Sequence, residues 1–198
     1  MPTTEKMPSQ GSNDRSGHST ETPFLSDVAT LRKRAREHIE RGAVTDAYNA
    51  DVDVVVKLLN TALATEIVCT LRYKRHYFIA NGIHAEPVAA EFLEHAKQEE
   101  EHADRIAERI VQLGGEPDFS PEGLAERSHA EYVEGRTLTE MMKEDLVAER
   151  VAIESYTEIV QYLEGRDPTT RRLMEEILAV EEEHAEDLSS LLQGMQAR

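Results

Sequence analysis

The sequence predicts an all-α protein: a four-helix bundle of two antiparallel hairpins joined by a long crossover, with an extra helix at the N-terminus. Three observations carry this. Four long stretches repeat their apolar side chains with helical period. The breaks after the first and the third stretch span only a few residues and contain Gly82 and Gly165. The break after the second is about 22 residues and contains Pro117, Pro121 and Gly123. A segment of that length can run along a whole helix and return the chain to the far end of the bundle.

Taken in order, residues 1–23 are rich in Ser, Thr, Pro and Gly and have almost nothing to bury, so a disordered tail is expected there. Residues 24–45 form an extension. Within it, 24–41 reads as a helix capped by Ser26 or Asp27 and closed by Gly42. Its basic cluster, Arg32, Lys33, Arg34 and Arg36, reads first as a solvated face. The bundle proper occupies 46–198, with helices over 46–80, 86–114, 137–164 and 169–194. Pro87, Pro117 and Pro168 stand beside its breaks.

Composition narrows the function classes. Of 198 residues, 39% are hydrophobic and 5% aromatic, and Trp is absent, so the core is aliphatic. The net charge is −17. Residues 1–50 hold 7 basic and 7 acidic side chains, which leaves the whole deficit in 51–198. Such a body repels nucleic acid and suits cation binding. The single cysteine, Cys69, excludes a disulfide framework or a Cys-x-x-Cys motif and reads as a small core residue. The start lacks a signal-like apolar stretch and no run of 18 apolar residues exists, so the expectation is a soluble cytoplasmic protein with no membrane partner.

The chain also repeats itself. TEIVCTLRY (65–73) resembles AERVAIESY (148–156), and QEEEHADRI (98–106) resembles VEEEHAEDL (180–188). Steps of three and four trace the inward stripes. They are Leu59, Ala62, Glu66, Cys69, Tyr73; then Phe92, His95, Glu99, His102, Ile106; then Met142, Leu146, Glu149, Ile153, Tyr156, Val160, Leu163; then Met174, Ile177, Glu181, His184, Leu188, Leu191. Each apolar seam is broken near its middle by Glu, or by Glu-x-x-His. The interval from Glu66 to Glu99 is 33 residues and from Glu149 to Glu181 it is 32, so the four interruptions fall at one level of the bundle.

Four carboxylates and two imidazoles at one dry level repel one another and lose hydration, at a cost of several kcal/mol per ion. Bound cations remove that cost. Oxygen and imidazole ligands favour hard ions, iron and manganese first. Four negative charges balance two divalent ions, and Glu-x-x-His at i, i+3 puts both ligands on one helical face.

One Glu from each of two helices with Glu-x-x-His from each of the other two is the ligand pattern of ferritin-like di-iron carboxylate proteins. Over about residues 50–194 the sequence resembles the ferritin-like superfamily, bacterioferritins and ferritin-like ferroxidases in particular. The resemblance implies two iron ions per subunit, with manganese as the alternative. Glu66, Glu99 and His102 would hold one iron, Glu149, Glu181 and His184 the other, and Glu99 and Glu181 would bridge them. Tyr73 and Tyr156 are candidates to hydrogen-bond ligand carboxylates, Asp145 to orient His102, and His95 to serve an accessory iron site.

The implied activity is a ferroxidase that oxidises Fe(II) with dioxygen or hydrogen peroxide for iron storage or detoxification, in a homo-oligomeric shell. Glu100 occupies the place where haem-carrying bacterioferritins have Met, which argues against a haem held in that manner. Only a few residues follow Leu192, so the fifth helix that closes their cages is not expected here, and a 12-subunit shell rivals a 24-subunit one. Two alternatives share the pattern: a manganese- or iron-dependent peroxide-scavenging enzyme, and a shell that protects DNA. The charge balance ranks DNA low as a partner.

Overall fold

The computed structural model describes residues 26–83 and 85–196. The expected tail, 1–23, lies outside them. The described residues are helical with no strand. The helices are α1 (Val28–Arg34), α2 (Val52–Ile79), α3 (Ala85–Gln112), α4 (Leu124–Arg127), α5 (Leu138–Leu163) and α6 (Pro168–Gln196). Two compact units divide the chain between Glu37 and His38.

In the first unit Asp27 caps α1, its carboxylate accepting from Thr30 N at 3.0 Å. The helix stops after seven residues, where one running to 41 was expected. Turns follow, and the second unit opens with a 3-10 turn over Ile39–Arg41 entered through His38 at φ 53°. The reason is energetic: α1 buries no residue, and an isolated helix this short has no packing to hold it.

The second unit is built on two antiparallel hairpins, α2 with α3 and α5 with α6. Asp51 caps α2 through Asp53 N and Val54 N. Thr137 and Glu140 form a reciprocal capping box at the start of α5. Gly135 makes that entry possible: at φ +59°, a Cβ there would meet Met141 N at 2.7 Å. At the far end Asp167 caps α6 through Thr170 N (2.9 Å) and takes Tyr48 Oη (2.8 Å) and Arg109 (3.2 Å), which ties α3 to the second turn.

The expected crossover between α3 and α5 carries α4 and is strapped along α2 by side chains. Asn60 accepts from Asp118 N (2.8 Å), Thr65 Oγ1 accepts from His129 N (2.9 Å), and Arg72 and Arg75 donate to the carbonyls of Glu131 (3.0 Å) and Glu134 (2.7 Å). Ala130 of the crossover packs on Cys69 and Ala148. Burial pushes the Cys69 thiol pKa well up, as for an inert core thiol.

The apolar core lies in two clusters. One joins Leu59, Leu63, Ile106, Ile110, Tyr156, Leu163, Met174 and Ile177; the other joins Tyr73, Phe92, Ala96, Met142, Leu188 and Leu192. The inward stripes of α2 and α3 are buried as expected. In α5 the face is rotated: Ala148, Ala152 and Ile159 are buried, while Leu146, Ile153 and Val160 are only half-buried. The crossover covers α5 at Ala148 and widens what it can bury. In α6, Leu192 takes the place expected of Leu191. Helix α2 is long and apolar enough for a membrane span, with mean hydropathy 1.6 over 18 residues, yet 56% of that window is buried inside the protein, where Glu66 sits.

Candidate metal centre

Between the two apolar clusters lies a polar layer. Glu66 of α2, Glu99 and His102 of α3, Glu149 of α5, and Glu181 and His184 of α6 are all buried, none more than 3% exposed. Thus the structure brings all six sequence-predicted site residues together. Their ligand atoms form two overlapping groups, Glu66–Glu99–His102–Glu181 and Glu99–Glu149–Glu181–His184, each within 4.8 Å. Glu99 and Glu181 belong to both.

Both imidazoles turn Nδ1 inward. His102 Nδ1 lies 3.0 Å from Glu181 Oε1 and 3.3 Å from Glu66 Oε2; His184 Nδ1 lies 3.4 Å from Glu99 Oε1 and 3.5 Å from Glu181 Oε2. On its outer side His184 Nε2 meets Gln98 Oε1 at 2.8 Å. Donation from Nε2 leaves Nδ1 free to act as a ligand.

The polar atoms at the centre of this layer lack hydrogen-bond partners: Glu66 Oε2, Glu99 Oε1, Glu149 Oε2, both Glu181 oxygens, and Nδ1 of His102 and His184. Buried polar atoms are nearly always paired. Orphans that converge from four helices, all oxygens or imidazole nitrogens, are the donor set of hard or borderline cations, and the residues present fit metal binding.

The outward carboxylate oxygens are paired across the hairpins. Tyr73 Oη of α2 donates to Glu149 of α5, and Tyr156 Oη of α5 donates to Glu66 of α2, as the two tyrosines were expected to do. Burial and then the Glu99 charge push the Glu66 pKa well up. Burial and then Glu66 push Glu181 up to about 7. Burial opposes the charge on Glu149 too, but the nearby His184 imidazole, the neighbouring Glu181 and the hydrogen bond from Tyr73 outweigh it and hold Glu149 below the ordinary carboxylate range. For the imidazoles, burial disfavours the proton but is outweighed by carboxylates. Glu181, Glu66 and Glu99 push His102 up to about 12, and Glu149, Glu181 and Glu99 do the same for His184. In the metal-free chain these protons stand where cations fit.

Asp145 does not orient His102. It accepts from Arg72 Nε (2.7 Å) and bonds His76 Nδ1 (2.8 Å), all three side chains fully buried. His76 Nε2 reaches Glu134 O at 2.7 Å. Helical spacing places Asp145 one turn before Glu149 but cannot say which neighbouring helix it faces, and it faces α2. Sequence reasoning also missed Gln98, which no spacing signal marks. It missed Glu91 and Asp187 as well, although Glu91 precedes His95 by four residues and Asp187 follows His184 by three.

Comparison with known proteins agrees with this geometry. A ferritin-like domain profile matches residues 56–197. The DNA protection during starvation protein of Pyrococcus furiosus is 34% identical over 164 residues, covering 80% of this chain and 86% of that protein. The bacterioferritin of Desulfovibrio desulfuricans is 30% identical over 131 residues, 66% of this chain and 69% of that protein. Among solved structures, a dodecameric thioferritin, the bacterioferritin-related protein from Bacteroides fragilis, superposes with TM-score 0.73 at 32% identity, covering 75% of this chain and 90% of that one. The repeated ligand pattern, the two-hairpin bundle and the profile match converge, and the chain belongs to the ferritin-like family.

Proposed function

We propose that this protein is a ferroxidase whose substrate is Fe(II), working in iron storage or detoxification inside a cytoplasmic homo-oligomeric shell. The observation that carries the reading is the pair of overlapping ligand groups with their orphaned inward atoms. Four carboxylates neutralise two Fe(II) ions, and the shared Glu99 and Glu181 keep both near one oxidant molecule. Each Fe(II) gives one electron. Two electrons with two protons take dioxygen to hydrogen peroxide, or peroxide to two waters. The protein's part is positioning: Tyr73 and Tyr156 fix the outer oxygens of Glu149 and Glu66, Gln98 fixes the His184 ring, and the apolar clusters above and below keep the layer dry. Residues 46–198 are the working unit in this reading and 24–45 an extension. The dodecameric thioferritin supports a shell of many copies.

Aerobic Fe(II) titration of the metal-free protein tests it. Rapid Fe(III) formation is expected and should continue well past the roughly two irons a di-iron site holds. Glu99→Ala or Glu181→Ala should abolish the rapid phase with helical content retained; undiminished oxidation in Glu99→Ala would overturn the site assignment. Saturation at about two with peroxide turnover would point instead to a di-metal peroxide scavenger. A second reading, DNA protection, is favoured by the name of the Pyrococcus relative and by the exposed Arg32, Lys33 and Arg34 on α1.

A further inference from the structure

Beside the six-residue centre, a second set of ligand atoms converges. His95 Nε2 lies 3.2 Å from Glu91 Oε1 and 3.9 Å from Asp187 Oδ2, and the three side chains offer ligand atoms within 4.8 Å of one another. His95 is buried at 2% exposure, whereas the Glu91 and Asp187 side chains are 36% and 46% exposed. The histidine therefore lies behind the carboxylates, and the carboxylates form a rim. Both rim residues line a cleft of about 390 Å³ between the first turns of α3 and the last turns of α6, which Val88, Leu191 and Met195 also line.

Hydrogen bonding decides which ring nitrogen faces the rim. Tyr73 Oη gives its proton to Glu149, so its oxygen accepts from His95 Nδ1 at 3.2 Å. With Nδ1 turned to Tyr73, Nε2 is the ring nitrogen that faces the two carboxylates. Among the described residues Nε2 meets only these acceptors. One imidazole nitrogen and two carboxylates thus converge beside the buried layer.

The geometry points to a third cation site, Glu91–His95–Asp187, that takes a divalent transition-metal ion from solvent and holds it at the threshold of the buried centre. One imidazole and two carboxylates suit Fe(II), Mn(II), Co(II) and Zn(II). The placement gives the site its role, and that role rests on the metal-binding reading of the centre. The His95 ring stacks on the His184 ring at 3.9 Å between centroids, and Tyr73 links His95 to Glu149. An ion on the rim is thus separated by one ring from the second ligand group. The exposed carboxylates gather dilute cations from the cleft, and the buried nitrogen selects transition metals over Ca²⁺ and Mg²⁺.

Anaerobic Co(II) titration of the metal-free full chain, followed by calorimetry and visible absorption, tests the site without relying on oxidation. Wild type is expected to bind about three Co(II) per chain, and the double variant Glu91→Gln, Asp187→Asn about two. Both substitutions lie on half-exposed side chains, and unchanged helical content in that variant checks its fold. Glu99→Ala with Glu181→Ala should lose the buried ions and keep about one. A stoichiometry unchanged by the Glu91/Asp187 pair overturns the third site and leaves His95–Glu91 an ordinary ion pair. If instead the Glu99/Glu181 pair changes nothing while the rim variant loses one ion, the centre is misread and the rim site stands.

Discussion

Glu149 and Glu66 each keep one oxygen for a tyrosine on the opposite hairpin and one for the interior, and that division governs the titration of the whole layer. With inward oxygens crowded around His102 and His184, both rings are held protonated in the metal-free chain, up to about 12 against an ordinary 6.5. A folded-state value above the unfolded one gives stability that is fully present below pH 6.5 and is lost as pH rises through about 12, so the metal-free protein weakens on the alkaline side. Metals compete with the same protons. Filling the centre at pH 7 in weakly buffered solution should release more than two protons per chain, from both imidazoles and from the raised carboxyls of Glu66 and Glu181, read with a pH indicator, and His184→Ala should lower the release by about one. No acidification would mean that both rings were neutral beforehand. These six residues were legible in the sequence because a carboxylate inside an apolar seam contradicts the seam. The exchange of partners between Tyr73 and Tyr156 was legible as a capacity, not as a pairing, since spacing along one helix does not report what stands across from it.

At the scale of elements, the crossover is held by polar bonds to α2 from Asn60 to His76 together with the apolar seat of Ala130. Asp145 is the hub: it joins α5 to Arg72 and His76 of α2, which in turn grip the carbonyls of Glu131 and Glu134. Asp145→Ala leaves a buried guanidinium without its partner and should cost about 3–5 kcal/mol, measured as a shift in the urea midpoint. A cost under about 1 kcal/mol would show that water replaces the carboxylate. The four long helices and the length of the crossover follow from periodicity and Gly/Pro placement. The straps do not, because half of each bond is a backbone carbonyl, which every residue carries. The short α1 marks the same limit from the other side: its period is helical, but nothing is buried against it.

For the molecule as a whole, the −17 charge is confined to residues 51–198, while residues 1–50 are balanced. That distribution sets the DNA-protecting reading against the storage reading. Retardation of duplex DNA in a mobility-shift assay should be absent even at low salt, because α1 offers a few cations against a strongly anionic body. Retardation that vanishes steeply with added salt would mean that the basic cluster acts in many copies at once. The exposed Phe78 and Ile83, at 78% and 95%, lie at the tip of the first hairpin as apolar surface.

The division of the ligands between hairpins has a kinetic consequence. Each hairpin closes over a few residues and each is stitched along its own length, so both can form early from local contacts. Neither contains a whole ligand group: Glu181 of the second hairpin completes the set around His102, and Glu99 of the first completes the set around His184. Electrostatic resistance to folding is therefore concentrated in the late step, when two finished hairpins bring four carboxylates into one layer. Cations present during that step act on the barrier as well as on the product.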